Sequence, residues 1–265
     1  MIPYCYHTHT KRCGHADGED EEYVLEAIAA GARHLGFSDH AMFPNLSQPT
    51  TRGEYEELPG YVSSIRELKE KYKEKIHIYV GMEAEYFPPY VDYLRKLLEE
   101  KTIDYLVLGE HSDWVNGRVG TSFFKVADAM MLRRYVEMCR KALETGLYSI
   151  FAHPDICFID YPKWDKHCVK AAKELCEMAL ANHVPLEINL GGIRQGIHEK
   201  NGERGYLYPN VHFWKIASKY QVPTVIGVDA HTPSHFKTNE FSMALEFARK
   251  LQVCLVKDFK LETKE

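Results

Sequence analysis

The sequence predicts an α/β protein built on a parallel sheet, because short strand-like runs alternate with longer amphipathic stretches along most of its 265 residues. The apolar runs have the length and composition of β-strands, and they occupy residues 3–7, 34–38, 76–82, 103–109, 148–152, 184–190 and 222–228. The amphipathic stretches are typical of helices, and they occupy residues 21–32, 54–74, 89–100, 124–145, 165–182, 210–220 and 237–251. Seven repeats of strand and helix imply parallel strands joined by right-handed crossovers.

This alternation leaves two architectures open, an open doubly wound sheet and a closed barrel. No GxGxxG motif follows the first predicted strand, which removes support from the nucleotide-binding form of the open sheet. The length suits a barrel, since parallel α/β barrels commonly reach this size as one domain. We expect a single domain over residues 1–265, because no Ser/Gly linker, low-complexity stretch or internal repeat divides the chain.

Composition limits the classes of partner and the compartment. The formal net charge of −5 lacks the basic balance of a nucleic-acid-binding protein, so nucleic acid is a disfavoured partner. The N-terminus has no secretory signal pattern, and no apolar run approaches the roughly 20 residues that span a bilayer. Seven scattered cysteines without a CxxC pair indicate reduced thiols that pack as small hydrophobic side chains. We therefore expect a cytoplasmic protein without a membrane partner.

Nearly every predicted strand ends in one or two side chains that can bind a metal. An HxH pair at a strand end presents both imidazoles to one side, because alternate residues of an extended segment share a face. The carboxyl ends of parallel barrel strands open onto one face, where residues distant in sequence converge. In chain order these residues are His7 and His9, Asp39 and His40, Glu83, His111, His153, and Asp229 with His231.

This pattern predicts a centre with more than one metal, because the set exceeds the three or four protein ligands of a single catalytic zinc. His15 and Asp17 join it through the polar loop that follows the first strand. Imidazole and carboxylate without cysteine suit zinc, iron or manganese, and we expect two to three of these divalent ions. The other histidines are expected to be structural or solvated; they are His34, His77, His167, His183, His198, His212 and His235.

These residues resemble the PHP (polymerase and histidinol phosphatase) superfamily, and most closely its histidinol-phosphate phosphatases. The resemblance spans essentially the whole chain. The motifs that carry it are His7-Thr-His9, His15-Ala-Asp17-Gly18, Gly36-Phe-Ser-Asp-His40, Gly81-Met-Glu83, Gly109-Glu-His111, Ala152-His153-Pro154, Glu187-Ile-Asn189 and Gly227-Val-Asp229-Ala-His231.

The resemblance implies a distorted (β/α)7 TIM-like barrel with three metals. It implies that one metal is held by His7, His9, Glu83 and Asp229, that Glu83 bridges to a second held by His111 and His153, and that a third is held by His15, His40 and His231. No ligand is missing, but Glu85 two residues after Glu83 leaves open which carboxylate bridges. The implied activity is hydrolysis of L-histidinol phosphate, a small phosphate monoester, to L-histidinol and phosphate in histidine biosynthesis.

The same residues suit phosphate monoester hydrolysis on chemical grounds. Such esters react very slowly in water, so a site must supply a strong nucleophile and neutralise the phosphoryl oxygens. Coordination to metals lowers the pKa of water and provides the first of these. Glu83 and Asp229 would hold the metals that do this, and Asp17 is the candidate general acid, although it could equally orient His15 or form the turn before Gly18. Arg194, in the predicted loop after the sixth strand, is the candidate phosphate ligand, with a solvated loop arginine as the alternative.

Three rival functions remain to be weighed. Another PHP phosphoesterase could act on nucleotides or oligonucleotide ends, but it would need basic and aromatic residues interleaved at the mouth, whereas the Lys and Arg residues here are dispersed over helices. An amidohydrolase shares the HxH pair, yet the lysine expected after a middle strand is missing at the end of the fourth. A degenerate barrel that only binds a partner would have lost ligands, and this chain keeps the full set.

Overall fold

Seven parallel strands form the main sheet of the computed structural model, which describes residues 2–261. Neighbours in this sheet follow chain order, and the strands are β1 (Tyr4–Cys5), β2 (His34–Phe37), β3 (His77–Ala84), β4 (Tyr105–Leu108), β7 (Ile150–Phe151), β8 (Leu186–Asn189) and β11 (Thr224–Gly227). Every one of them overlaps a run that the sequence predicts. Two antiparallel hairpins lie outside the sheet and were not predicted; they are β5 (Ser112–Val115) with β6 (Arg118–Ser122), and β9 (His198–Lys200) with β10 (Glu203–Gly205).

The sheet curls into a nearly closed barrel, which confirms the predicted fold class. Just beyond the ends of β1 and β11, Thr8 and Ala230 form a parallel bridge. The His9 amide donates to the Ala230 carbonyl at 2.8 Å, and the Ala230 amide donates to the His7 carbonyl at 3.3 Å. The first and last strands therefore meet at the mouth formed by the carboxyl ends of the strands.

Helices follow the strands as the sequence predicts. They are α1 (Asp20–Ala29), α2 (Leu58–Tyr72), α3 (Val91–Glu99), α4 (Ala129–Glu144), α5 (Lys166–Ala181), α6 (Leu190–Arg194), α7 (Val211–Tyr220) and α8 (Glu240–Leu251). The side chains of Asp128, Asp165 and Asn210 accept hydrogen bonds from first-turn amides and so begin α4, α5 and α7. Only the short α6 was unforeseen. None of the helices within residues 2–261 combines the length and apolarity needed to cross a membrane.

The core has two layers because successive strand residues face opposite sides. One layer packs between the strands and the surrounding helices. The other fills the inside of the barrel with Tyr4, Tyr6, Tyr105, Val107, Ile150, Ala152, Val225 and Leu261. At the amino ends of the strands the Tyr4 hydroxyl donates to the Val256 carbonyl at 2.6 Å, and the Tyr6 hydroxyl donates to the Phe259 carbonyl at 3.0 Å. The C-terminal segment thus fills that end of the barrel, and polar side chains collect at the other.

The expected single domain over residues 1–265 includes Met1 and residues 262–265, which lie outside the described part of the chain.

Candidate metal centre

Glu83 lies at the middle of the polar cluster in the barrel mouth. Its carboxylate approaches the ring nitrogens of five predicted ligands: His7 Nε2 at 3.4 Å, His9 Nε2 at 3.5 Å, His40 Nδ1 at 3.2 Å, His111 Nε2 at 3.3 Å and His153 Nε2 at 2.9 Å. Together with Glu83, these residues come from five different strand ends or the turns after them, so only the barrel brings them together.

Asp229 is the second carboxylate of the cluster. Its Oδ1 atom lies 3.5 Å from His7 Nε2, 3.3 Å from His9 Nε2 and 3.4 Å from His231 Nδ1. Glu83 and Asp229 therefore contact the His7 and His9 rings from two sides. These four residues are the ones that the resemblance to the PHP superfamily implies as ligands of one metal.

Both carboxylates carry their negative charge. Burial raises the pKa of Glu83, but the neighbouring His111, His7 and His40 outweigh it and hold this pKa well below its usual range. Burial likewise raises the pKa of Asp229, and the nearby histidines, His7 first, hold it well below the ordinary value. Two buried anions surrounded by imidazole nitrogens form a strong site for a cation.

The hydrogen bonds of His7 show that this cluster fits a metal. Its Nδ1 atom lies 2.9 Å from Glu187 Oε1, and because a carboxylate only accepts hydrogen bonds, the ring proton sits on Nδ1. Nε2, the ring nitrogen turned away from Glu187, faces His9 Nε2 at 3.2 Å and the carboxylates of Glu83 and Asp229. One cation could be bound by all four of these groups at once, and Glu187 is placed as the orienting carboxylate that metal-binding histidines usually have.

The outer part of the cluster contains the remaining histidines. The ring centres of His9 and His231 are 4.3 Å apart, those of His9 and His40 4.5 Å, and those of His15 and His231 4.9 Å. The donor atoms of His9, His40 and His231 lie close enough to share one ion. All nine predicted ligands are thus gathered at one mouth, with His15 the most exposed of them.

Cys13 is a potential donor that the sequence analysis left out. It is fully buried, and its sulfur lies within reach of the same point as donor atoms of His15 and His231. Cys13 is therefore a further potential donor beside the nine candidates, and a donor set without cysteine stays a prediction.

Glu85 differs from Glu83 in its contacts. Both of its oxygens lie 3.1 Å from Nη2 of the buried Arg52, and Oε1 lies 3.3 Å from His111 Nδ1. Burial raises the pKa of Glu85, while Arg52 and then His111 lower it to a net value below the ordinary one. Glu85 contacts the outer nitrogen of His111, and Glu83 contacts the inner one.

Arg194 lies at the end of helix α6 and not in a loop, which corrects the sequence analysis. The helix forms because the Asn189 side chain accepts a hydrogen bond from the Gly191 amide at 2.7 Å and so caps its first turn. Arg194 Nη2 donates to the Asp229 carbonyl at 2.6 Å. Its Nη1 atom is buried without a hydrogen-bond partner in residues 2–261, so one face of the guanidinium is free beside the cluster.

Asp17 is placed beside the cluster by its backbone. Its amide donates to the His231 carbonyl at 2.8 Å, and its carbonyl accepts from the Tyr23 hydroxyl at 2.5 Å. The residue itself is exposed. It therefore lies at the rim of the mouth, where solvent and a ligand could both reach it.

Unusual backbone positions support the cluster. His153 and Asp229 have φ angles of 29° and 50°, in the left-handed region that costs energy for residues other than glycine. At Gly109 and Gly227 a Cβ atom would overlap the carboxylates of Glu83 and Glu187. Such strain and close approach at the ligand positions are typical of functional sites.

Most of the other histidines match the expectation of structural or solvated roles. His34 stacks on His77 at 5.0 Å near the opposite end of the barrel, and His212 contacts Glu203 at 2.6 Å on the surface. His235 is closer to the site than expected, because its Nδ1 atom accepts from the His231 amide at 3.1 Å. Burial and then the charges of Arg194 and His231 lower the pKa of His235 to about 4, so it is neutral there.

Comparisons with known proteins agree with this geometry. The model of the PHP domain family matches residues 6–191, well over half of the chain. The chain belongs to the PHP domain family. The matched range contains seven of the nine ligand candidates, and Asp229 and His231 lie beyond it.

Individual PHP relatives span nearly the same length. The "Probable histidinol-phosphatase" of Deinococcus radiodurans is 27% identical over 235 residues, covering 86% of this chain and 85% of the relative. The crystal structure of hisK from Listeria monocytogenes superposes with a TM-score of 0.73 at 21% identity, over 90% of this chain and 99% of that one. The crystal structure of histidinol phosphate phosphatase from Lactococcus lactis, complexed with zinc, L-histidinol and phosphate, superposes with a TM-score of 0.68 at 19% identity, over 96% and 95%. These solved structures share the fold of this chain.

Proposed function

We propose that this protein is a histidinol-phosphate phosphatase, a phosphoric monoester hydrolase that converts L-histidinol phosphate to L-histidinol and phosphate in histidine biosynthesis. The observation that carries the reaction type is the position of Glu83, whose single carboxylate faces five histidines at 2.9–3.5 Å. The substrate is supported by full-length relatives that bear this name and by the neighbour that binds zinc, L-histidinol and phosphate. The proposal treats residues 1–265 as one catalytic domain.

The proposed metal centre holds two to three divalent ions, with zinc, manganese or iron as candidates. His7, His9, Glu83 and Asp229 would bind one ion, Glu83 would also bind a second together with His111 and His153, and His15, His40 and His231 would bind the third. The support is that His7 and His9 both approach Asp229 Oδ1, at 3.5 Å and 3.3 Å, and that His111 and His153 both approach Glu83 Oε1, at 3.3 Å and 2.9 Å.

Metal ions bound there would supply a water of lowered pKa and neutralise the phosphate charge. The protein's own residues do the rest. The free Nη1 face of Arg194 would bind phosphoryl oxygens, since a guanidinium can donate two parallel hydrogen bonds to them. Asp17, at the exposed rim, would give a proton to the leaving alkoxide. Because both lie next to the cluster and not inside it, neither competes with the proposed ligands.

Phosphate release from a panel of monoesters tests the substrate. The kcat/KM for histidinol phosphate should be at least tenfold above the values for nucleoside monophosphates, sugar phosphates and a 3′-phosphorylated oligonucleotide. A tenfold difference corresponds to about 1.4 kcal/mol of activation free energy. If the enzyme preferred a nucleotide or an oligonucleotide end, the proposed phosphoesterase chemistry would stand and the proposed substrate would be wrong. No phosphate release from any member of the panel by metal-loaded protein would overturn the reaction type.

Metal analysis tests the centre independently of substrate. Protein prepared without chelators should contain two to three equivalents of transition metal, because the donor set exceeds what one ion can use. Less than one equivalent, together with full activity after chelation, would contradict the proposed centre.

A further inference from the structure

The end of β3 brings two carboxylates to the same side of the barrel mouth. Glu83 and Glu85 are two residues apart, so their side chains leave the strand in the same direction. Both are about 1% exposed, and both contact His111, Glu83 at Nε2 and Glu85 at Nδ1. Either carboxylate has the chemistry of a metal ligand. A further group must decide which of the two coordinates.

Arg52 is the group in contact with Glu85 and not with Glu83. It reaches the centre from the long segment between β2 and α2, and it is only 1% exposed. Its Nη2 atom lies 3.1 Å from both oxygens of Glu85. Burying a charged guanidinium this deeply is costly unless its donors are satisfied and its charge is balanced.

The rest of the guanidinium is held in place on all sides. Nη1 donates to the Ala41 carbonyl at 2.9 Å, and Nε donates to Gln48 Oε1 at 2.8 Å. The Phe43 and Phe87 rings lie 5.2 Å and 6.0 Å from the guanidinium carbon, where cation–π attraction adds to the packing. Arg52 therefore cannot turn toward a substrate, and its role must act through Glu85.

We propose that Arg52 is a positioning residue that assigns different roles to the two carboxylates. It occupies the oxygens of Glu85 and balances their charge, so Glu85 serves as the acceptor for the His111 Nδ1 proton and stays out of the metal's ligand set. His111 then presents its Nε2 lone pair beside Glu83, and Glu83 alone is left to bind metal at this strand end. The inference rests on the proposed metal centre and is independent of the substrate.

Loss of Arg52 alone and loss of Arg52 together with the charge of Glu85 should have different effects. Arg52→Met removes the guanidinium and leaves Glu85 as an unpaired buried anion next to His111, free to move onto a metal. Arg52→Met combined with Glu85→Gln removes that anion but keeps an amide oxygen that can accept the His111 proton. The single variant should therefore disturb the metal centre more than the double variant does.

Metal binding measures this without any substrate. We expect Arg52→Met to lower the affinity for one metal equivalent by about 10–100-fold in chelator competition, which is the range for loss of a group that orients a ligand. The visible spectrum of the Co²⁺-substituted protein should change as well, because the ligand set changes. The double variant should recover most of the affinity and the wild-type spectrum. Arg52→Lys keeps a charge but cannot reproduce the separate contacts of three guanidinium nitrogens with Glu85, Ala41 and Gln48, so it should lie between wild type and Arg52→Met. It replaces Arg52→Met in the test if that variant does not fold.

Arg140→Met is the matched control, because it breaks an arginine–carboxylate pair of similar length, 3.1 Å to Glu174, between α4 and α5. It should leave metal affinity and the Co²⁺ spectrum unchanged. The proposal is overturned if Arg52→Met and Arg52→Lys bind metal like wild type, or if the double variant is as impaired as Arg52→Met. Because these readouts do not use histidinol phosphate, failure of the proposed function in the substrate panel is a separate result.

Discussion

At the scale of single residues, the surroundings of a side chain assign its chemistry more than its identity does. Glu83 and Glu85 are both glutamates at the end of one strand, yet the Glu83 carboxylate faces five imidazoles and the Glu85 carboxylate pairs with Arg52. Arg194 shows the same principle, since one of its amino groups is tied to the Asp229 carbonyl and the other is left free. Substitutions at these positions can therefore separate roles that the sequence alone cannot.

Glu83→Gln keeps the shape of the side chain and removes its charge. We expect it to lower kcat by orders of magnitude while the fold stays intact, because the carboxylate proposed to bridge two metals is lost. Steady-state kinetics with circular dichroism and metal analysis measure the effect. Glu85→Gln is the control and should be much milder. A damaging Glu85→Gln beside a mild Glu83→Gln would show that the bridging carboxylate is Glu85.

Arg194→Ala should lower kcat/KM for histidinol phosphate by about 2–4 kcal/mol, the size expected when a charge-assisted contact to a transition-state oxygen is lost. Metal content should not change, because Arg194 contacts a backbone carbonyl and not a ligand side chain. Arg194→Lys should recover only part of the loss, since an ammonium cannot make the paired contact. Wild-type kcat/KM in Arg194→Ala would return this residue to the role of a structural arginine that caps the Asp229 carbonyl.

At the scale of elements, the sequence allowed prediction of the strands that are buried along their whole length. It did not allow prediction of contacts between segments that are far apart in the chain. The barrel strands could be predicted because strands covered on both faces form short apolar runs. The β5–β6 and β9–β10 hairpins could not, because their residues are mostly polar or partly exposed. Helix α6 was mistaken for a loop because its two glycines favour a turn. Eight of the nine ligand positions were predicted from strand ends and His15 from the loop after the first strand, whereas Arg52 was missed because its contact with Glu85 spans 33 residues of sequence.

The stack between β2 and β3 gives a prediction at this scale. His34 packs against the His77 ring, and its Nδ1 atom lies 3.2 Å from the Tyr79 hydroxyl. Burial and then the nearby His77 lower the pKa of His34 below its ordinary value. The unfolded chain therefore binds this proton more tightly, and the stability that the neutral ring contributes is lost as pH falls below about 6.5.

His34→Phe keeps an aromatic ring against His77 but cannot titrate. Between about pH 7.5 and about pH 5.5 the variant should lose less unfolding free energy than wild type. Urea unfolding of both chelated proteins at the two pH values measures the difference without a metal contribution. The control is His167→Phe, a partly exposed position on α5, which should follow wild type. Equal losses in wild type and His34→Phe would contradict the predicted linkage.

At the scale of the whole molecule, the barrel is closed by a seam between its first and last strands. At the mouth the seam consists of the Thr8–Ala230 bridge, which is flanked by the ligand candidates His7, His9, Asp229 and His231. At the other end the Thr224 amide donates to the Cys254 carbonyl at 2.9 Å, and the Val256 amide donates to the Thr224 carbonyl at 2.8 Å. Metal ions bound at the mouth would join the first and last strands of the barrel, so the proposed cofactor is also part of the fold.

Removal of metal should therefore weaken the protein at one end of the barrel. A ligand that binds only the folded state stabilises it by about 2.7 kcal/mol when its concentration is 100 times its Kd, so chelation should lower the midpoint of thermal unfolding. Without metal, His7, His9, Glu83 and Asp229 lose the ions that would hold them together across the seam. Amide hydrogen exchange at His9 and Ala230 should then become faster, whereas Thr224 and Val256 at the opposite end should keep their protection. Exchange measured with and without chelator, followed by restoration with Zn²⁺, is the test. Equal acceleration of exchange at both ends would mean that metal acts on global stability alone. Unchanged exchange at His9 and Ala230 would show that metal does not stabilise the seam.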